Sequence, residues 1–267
     1  MTAPKRGYAT GPFGQVHFQD TETGTPLVLC HQAPMSSRQF DSVYGLLSRS
    51  GIRAIGIDMP GFGNSDPTDF VPRVEDYAHV VPAVLDHLGL ESAVLLGHHT
   101  GAMVATEVAL QFVSRVTALI LNGPLPLSAK EREEGLEYVE TNEKGFAPGA
   151  DGERLLNMYK TRMSAANENT RWDLTGRYIA ESLIGYGPFW YGHHAAFQYD
   201  HAATLPLIKH PTLILTNTGD SIYENALQAR TIRPDFKFAE IDGGSWDIVD
   251  ERPQEWVEAV GKFLGQF

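Results

Sequence analysis

The sequence predicts an α/β chain, with a mainly parallel, doubly wound sheet, helices on both faces and a helical insertion. Three observations carry that expectation. Short β-like apolar runs alternate with helix-length amphipathic runs, the rhythm of a layered parallel sheet. The rhythm breaks from about Leu125 to Leu205, where Glu, Asn, Gly and aromatic residues dominate and strand-like runs are missing, and then resumes. The length of 267 residues, with 42% hydrophobic and 20% charged residues, suits one globular domain carrying an insertion.

Taken in order, Pro26 to His31 reads as a buried strand because Leu27-Val28-Leu29-Cys30 is uninterrupted apolar sequence. Ser36 to Ser50 is expected as a helix and Ile52 to Asp58 as the next strand, closed by the turn-rich Met59-Pro60-Gly61-Phe62-Gly63-Asn64-Ser65-Asp66. Glu75 to Leu88 is expected to be helical despite Pro82. Ala93 to His98 is a strand, Thr100 to Phe112 a helix and Val116 to Asn122 a strand. After the insertion, Pro211 to Thr216 and Phe236 to Ile241 read as strands flanking a helix over Glu224 to Arg230, and Pro253 to Phe267 as a closing helix. The expected division is a core of residues 1–124 and 206–267 with a helical cap over 125–205.

Charge and composition exclude several partners. Lys+Arg total 21 against Asp+Glu 33, a net charge of −12, and there is no cationic cluster, so nucleic acid and anionic membrane surfaces are not expected partners. Cys30 is a single cysteine in an apolar run, so it reads as an inert buried thiol. Met1 to Gly14 holds no apolar stretch of the roughly 7–15 residues of a signal peptide, and no run reaches the roughly 18 apolar residues of a spanning helix. A cytoplasmic location is the expectation, as a monomer or homodimer acting on a small-molecule substrate.

The most informative segment is Ala93-Val94-Leu95-Leu96-Gly97-His98-His99-Thr100-Gly101-Ala102, an apolar run entering a glycine-bracketed turn and then a helix. It resembles the nucleophile elbow of the α/β-hydrolase family, where the central residue is Ser, Cys or Asp on a sharp turn; here it is His99. Three further segments follow the same resemblance in order. His31-Gln32-Ala33-Pro34 resembles the H-G-x-P oxyanion loop, Asp58 to Ser65 the D-x-x-G-x-G-x-S turn, and Thr218-Gly219-Asp220 the strand end that keeps the triad acid. Gly243-Gly244-Ser245-Trp246 resembles the G-G-S-H segment that carries the triad base, with Trp246 in the histidine's place. The resemblance implies an α/β-hydrolase fold with an atypical triad. It also implies Asp220 as the surviving acid and the backbone N–H groups of Ala33 and Thr100 as oxyanion donors, with Gln32 beside them where a glycine is usual.

Loss of both serine and base removes covalent acyl transfer as normally built. Ser65 and Ser245 sit in turn motifs and read as structural. An imidazole carries its outer nitrogen roughly 2 Å further out than a serine oxygen, so His99 is expected to reach Asp220. The carboxylate would fix its tautomer and make the other nitrogen a general base. Trp246 would wall the site, and His98 reads as a structural neighbour within the pocket. The aromatic-rich stretch from Tyr186 onward places Phe189, Trp190, His193 and His194 at the expected pocket for an apolar or aromatic carbonyl compound. No cofactor is expected. No metal is either, because adjacent histidines rarely share an ion and no H-x-x-x-H spacing accompanies them. Two readings stay open: an enzyme using His99, either by hydrolysis or by lyase, decarboxylase or isomerase chemistry, and a non-catalytic ligand-binding protein on a degenerate scaffold.

Overall fold

A computed structural model describes residues 4–147 and 149–266. Eight strands form one sheet in the order β1-β2-β4-β3-β5-β6-β7-β8. They are β1 (Lys5–Gly11), β2 (Gly14–Asp20), β3 (Thr25–Cys30), β4 (Ile52–Ile57), β5 (Ala93–His98), β6 (Val116–Asn122), β7 (Thr212–Asn217) and β8 (Lys237–Ile241). From β4 to β8 every pairing is parallel, while β1 pairs with β2, and β2 with β4, antiparallel. β3, β5 and β7 are apolar because both faces are covered. One hydrophobic cluster gathers Val28, Leu95, Leu121 and Ile214, and the other Leu27, Leu96, Ile120 and Leu215.

The β1–β2 hairpin is an addition to the strands expected from sequence. Its residues hide the usual signal: β1 is mostly exposed, and β2 buries polar His17, Gln19 and Asp20 instead of an apolar stripe. His17 Nδ1 donates to Asp58 Oδ2 at 2.8 Å, and the Ser37 and Asn64 N–H groups also donate to Asp58, at 2.7 and 2.9 Å. Burial works to push the Asp58 carboxyl up, but these donors hold it below the usual carboxylate range.

Two expected helices are each broken. Ser36 to Ser50 becomes a short 3-10 turn, Ser37–Phe40, and a helix, Tyr44–Arg49, because the Ser37 backbone is committed to Asp58 and to the Tyr44 hydroxyl. Glu75 to Leu88 divides at His79 into Val74–Ala78 and Val80–His87, which places Pro82 in a first turn, where its missing N–H costs little.

Between β6 and β7 the described residues form no strand. The helices there are Ala129–Tyr138, Glu153–Met163, Thr175–Ile184, Trp190–Gln198 and His201–Thr204. The segment is fastened to the core by a buried carboxylate: Asp250 accepts from Ser42 Oγ, Arg177 Nη2 and, at 2.9 Å, the Tyr178 hydroxyl. Among the described residues no helix is long and apolar enough to cross a membrane.

Candidate active site

The turn after β5 is built by what its glycines omit. A Cβ on Gly97 would lie 2.0 Å from the Gly101 carbonyl oxygen, and one on Gly101 would lie 2.1 Å from that of Cys30. Strand, turn and helix therefore close to a distance only glycine permits. Between them His99 takes φ 50° and ψ −111°, a left-handed backbone for a residue with a Cβ, and caps the Thr100–Gln111 helix. Its N–H donates to the Asn122 carbonyl at 2.8 Å, and its own carbonyl accepts from Ala102 at 2.8 Å. Thr100 opens the helix, so its N–H has no acceptor within the helix.

His99 Nε2 donates to Asp220 Oδ2 at 2.7 Å. The Asp220 side chain is fully buried and that of His99 is 16% exposed. Burial works to raise the Asp220 carboxyl, but the electrostatic pull and hydrogen bond of the neighbouring His99 ring, together with the Ile222 N–H at 3.2 Å, hold it below the usual range. The approach is cleared by Gly123, whose absent Cβ would sit 2.6 Å from His99 Cδ2 and 2.9 Å from Nε2. The Cδ2–Nε2 edge is committed there, and among the described residues Nδ1 takes part in no hydrogen bond.

His98 is fully buried behind this pair, its ring centroid 4.3 Å from that of His99. Gln39 holds it: Gln39 Oε1 accepts from the Gln32 N–H at 2.9 Å, which leaves the amide Nε2 to donate to His98 Nδ1. His98 is thus the Nε2–H tautomer, and that nitrogen is buried with no acceptor among the described residues. Burial first, then the charges of His99 and Arg162, push its pKa well below the usual histidine value, so it stays neutral. Gln39 escaped the sequence reading because it lies in an expected helix rather than in a motif; the neighbouring oxyanion-type loop was the one available signal.

A cavity of about 440 Å³ opens in front of His99. It brings together Gln32, Ala33, His99, Phe189, His193 and Trp246 from the expected site, the first three from the core and the next two from the inserted helices. Gln32 Nε2 donates to the Trp246 carbonyl at 3.4 Å. His193 donates from Nδ1 to Glu143 at 2.8 Å and from Nε2 to the Ala33 carbonyl at 3.2 Å. Two acceptors require two N–H donors, hence an imidazolium. Burial opposes that charge, but Glu143 and the carbonyl outweigh it and raise the His193 pKa. Both ring nitrogens of His193 are thereby occupied, and its charged form is favoured beside the oxyanion-type loop.

Three residues expected in the pocket lie outside its wall. His98 is sealed beneath it. Trp190 and His194 pack against each other, ring centroids 5.3 Å apart, and His194 borders a separate outer groove with Arg132 and Phe197. The cause is helical phase: Phe189 and His193 are four residues apart on one stripe, and Trp190 and His194 occupy the neighbouring stripe.

Ser65 and Ser245 are held elsewhere. Ser65 Oγ donates to the Asp58 carbonyl at 2.7 Å and accepts from the His17 N–H, and Ser245 bonds Glu251 through both its N–H and its hydroxyl. Ser221, next to Asp220, does line the cavity and was passed over because it sits in no motif. Among the described residues His98, His99 and Asp220 offer ligand atoms within 4.8 Å of one another. The 2.7 Å contact between His99 and Asp220 suits a shared proton rather than an ion, since two zinc ligands about 2.1 Å from a tetrahedral metal stand roughly 3.4 Å apart.

A family model of the α/β hydrolase fold matches residues 25–251, and the chain belongs to that family of enzymes. Its relatives include a haloalkane dehalogenase, a non-heme haloperoxidase and a bifunctional epoxide hydrolase. Haloalkane dehalogenase 2 of Mycobacterium bovis is 32% identical over 109 residues, covering 40% of this chain and 38% of that protein, so the chain matches well under half of that relative's length. Among solved structures, a bromoperoxidase from Bacillus anthracis superposes with a TM-score of 0.82 at 20% identity, over 98% of this chain and all (100%) of the other. A thermophilic esterase from Thermogutta terrifontis gives 0.80 at 23% identity, over 98% of each chain. At these identities the two structures are alike in fold.

Proposed function

We propose that the chain is a cofactor-independent enzyme acting on a small apolar or aromatic carbonyl compound of ester, lactone or ketone type, with His99 as general base. The observation that carries the reading is the 2.7 Å hydrogen bond from His99 Nε2 to a buried, ionised Asp220 at the edge of a cavity. The carboxylate holds the proton on Nε2, so Nδ1 presents a lone pair. Nδ1 takes a proton either from a water that attacks the carbonyl or from a carbon beside it. The negative charge then develops on the carbonyl oxygen, where the N–H groups of Ala33 and Thr100, the start of the Thr100–Gln111 helix and the His193 cation all favour it. Trp246 and Phe189 supply apolar wall. Residues 125–205 act as the cap, and no serine acyl-enzyme forms.

The test is mass spectrometry of a carbonyl-compound panel incubated with the native chain, His99→Ala and Asp220→Asn. A gain of water that depends on His99 assigns hydrolysis, loss of carbon dioxide a decarboxylase, and an isomeric product proton transfer. Asp220→Asn is expected to slow the reaction by about 10²–10⁴-fold, since the amide cannot hold the same tautomer. Labelling by a fluorophosphonate, at Ser221 for example, sinks the non-serine reading. The second reading, a ligand-binding protein, is favoured by the absence of both serine and base from their family places. It stands if both variants leave binding and products unchanged.

A further inference from the structure

The helix Glu153–Met163 turns Arg154, Asn157, Met158, Thr161 and Arg162 toward the cavity, the three- and four-residue spacing of one helical stripe. A helix bordering an apolar pocket ordinarily presents its hydrophobic stripe; here only Met158 is apolar and two residues are cationic. Arg162 is the deeper cation. Its guanidinium lies 4.6 Å from the Tyr178 ring centroid and 5.5 Å from that of Trp246, and Nη2 donates to Asp247. Its Nε is buried without an acceptor among the described residues, while the side chain as a whole keeps 17% exposure. Arg154, nearer the mouth, donates to the Gly145 carbonyl at 3.2 Å and stacks over Phe146, with no carboxylate partner among the described residues.

The charges on the wall do not cancel. Glu143 is taken by His193, and Arg162 meets Asp247 through Nη2, which leaves its Nε without an acceptor among the described residues. An incompletely paired guanidinium in a partly desolvated cavity seeks a planar oxyanion with which it can form two parallel hydrogen bonds. The setting sharpens the point, because a chain of net charge −12 repels anions in general. Cations gathered inside this cavity therefore signal selection rather than a basic surface. Trp246 joins the two ends: its ring is beside Arg162 and its carbonyl is bonded to Gln32 of the oxyanion-type loop.

We infer that the cavity takes a carbonyl compound that also bears a carboxylate, with the carboxylate on Arg162, the apolar body along Trp246 and the carbonyl at His99. The placement of the carbonyl rests on the proposed role of His99; the carboxylate contact stands independently of it. Arg154 at the mouth draws the anion in.

Calorimetric titration with a matched pair, 4-oxo-4-phenylbutanoate and its primary amide, tests this. The acid is expected to bind wild-type protein about tenfold or more tighter than the amide, with the gap narrowing at high salt. Arg162→Gln should erase the preference while leaving amide affinity within about twofold, and Arg154→Gln should only reduce it. If Arg162→Gln fails to melt cooperatively, the paired change Arg162→Met with Asp247→Asn removes both charges together and must erase the preference. Equal affinities for acid and amide in wild type, no binding of either, or a preference that survives loss of Arg162 overturns the inference. His99→Ala separates the two proposals: acid preference kept with turnover lost supports both, while full turnover with preference kept removes the base and leaves the anchor.

Discussion

His99 can hold its left-handed backbone, a conformation costing on the order of 1–3 kcal/mol, because its N–H, its carbonyl and its imidazole are each tied down. Gly123 is the silent member of this arrangement. Gly123→Ala places a methyl against His99 Cδ2 and strains a φ of +65°. The expected outcome is loss of the Asp220 hydrogen bond, a fall in His99-dependent turnover of about 10²-fold or more, and a destabilisation of about 1–3 kcal/mol. A crystal structure of the variant and its melting curve check it. Gln39→Leu leaves the Gln32 N–H and His98 Nδ1 without their partner at once, so unfolding free energy is expected to drop by about 1–3 kcal/mol per group, read by urea titration. Both residues were silent in the sequence for the same reason. Glycine and glutamine outside a motif look alike whether or not they serve a site, whereas His99 stood out because its neighbours on both sides match a turn that demands something else in the middle. Asp220 stood out by its place at a strand end, and its contact with His99 follows the expectation from the length of an imidazole; the 2.7 Å distance needed coordinates.

At the scale of elements, apolar runs with one meaning were readable and polar ones were not. β5 and β6 fall where the sequence places them, as both are built on apolar runs, Ala93 to Leu96 and Ala118 to Leu121. β1 was invisible because it is mostly exposed, and β2 because its partners are Asp58, Ser65 and Asp66, contacts across 41 to 51 positions that no local pattern carries. The inserted helices were legible as helix, but the stripe that faces the cavity was not, so Trp190 and His194 were assigned one residue out of phase with Phe189 and His193. The Thr175–Ile184 helix is attached to the core at two carboxylates, Asp250, which accepts from Arg177 and Tyr178, and its own Glu181, which accepts from Ser36 Oγ and Arg38 Nη1. Asp250→Ala removes the carboxylate bonded to the buried Arg177 guanidinium and leaves it only the fields of Asp41, Glu181 and Asp247, so a cost of up to about 3–5 kcal/mol is expected. Hydrogen exchange should show residues 175–184 opening before the sheet does. Unchanged protection there would mean that the helix is held by other contacts.

At the scale of the whole molecule, buried carboxylates couple stability to pH with opposite signs. Asp58 and Asp220 are held below the ordinary value of 3.8, so the stability they contribute is present above it and lost as pH falls through their lower folded values. Asp247 runs the other way. With a folded value of about 6 against 3.8, the folded chain binds its proton first, so its contribution is complete below 3.8 and lost as pH rises through 6. Asn cannot titrate. The stability of wild type relative to Asp247→Asn is therefore expected to improve as pH is lowered from 7 to 4, by at most about 3 kcal/mol, because titrations common to both proteins cancel in the difference. Thermal melts across that range measure it; a difference that stays flat would remove Asp247 as a titrating group.

In an ordinary serine site, the atom that attacks and the ring that ferries protons belong to different residues. The acyl group can therefore be parked on one while the other prepares water, and an added alcohol can intercept it. In the His99–Asp220 arrangement a single imidazole occupies the attacking residue's seat and leans on the acid that would have steadied its partner. Under the proposed reading nothing is parked between half-reactions. Product should appear without a pre-steady-state burst, since each substrate must be converted within one residence in the cavity.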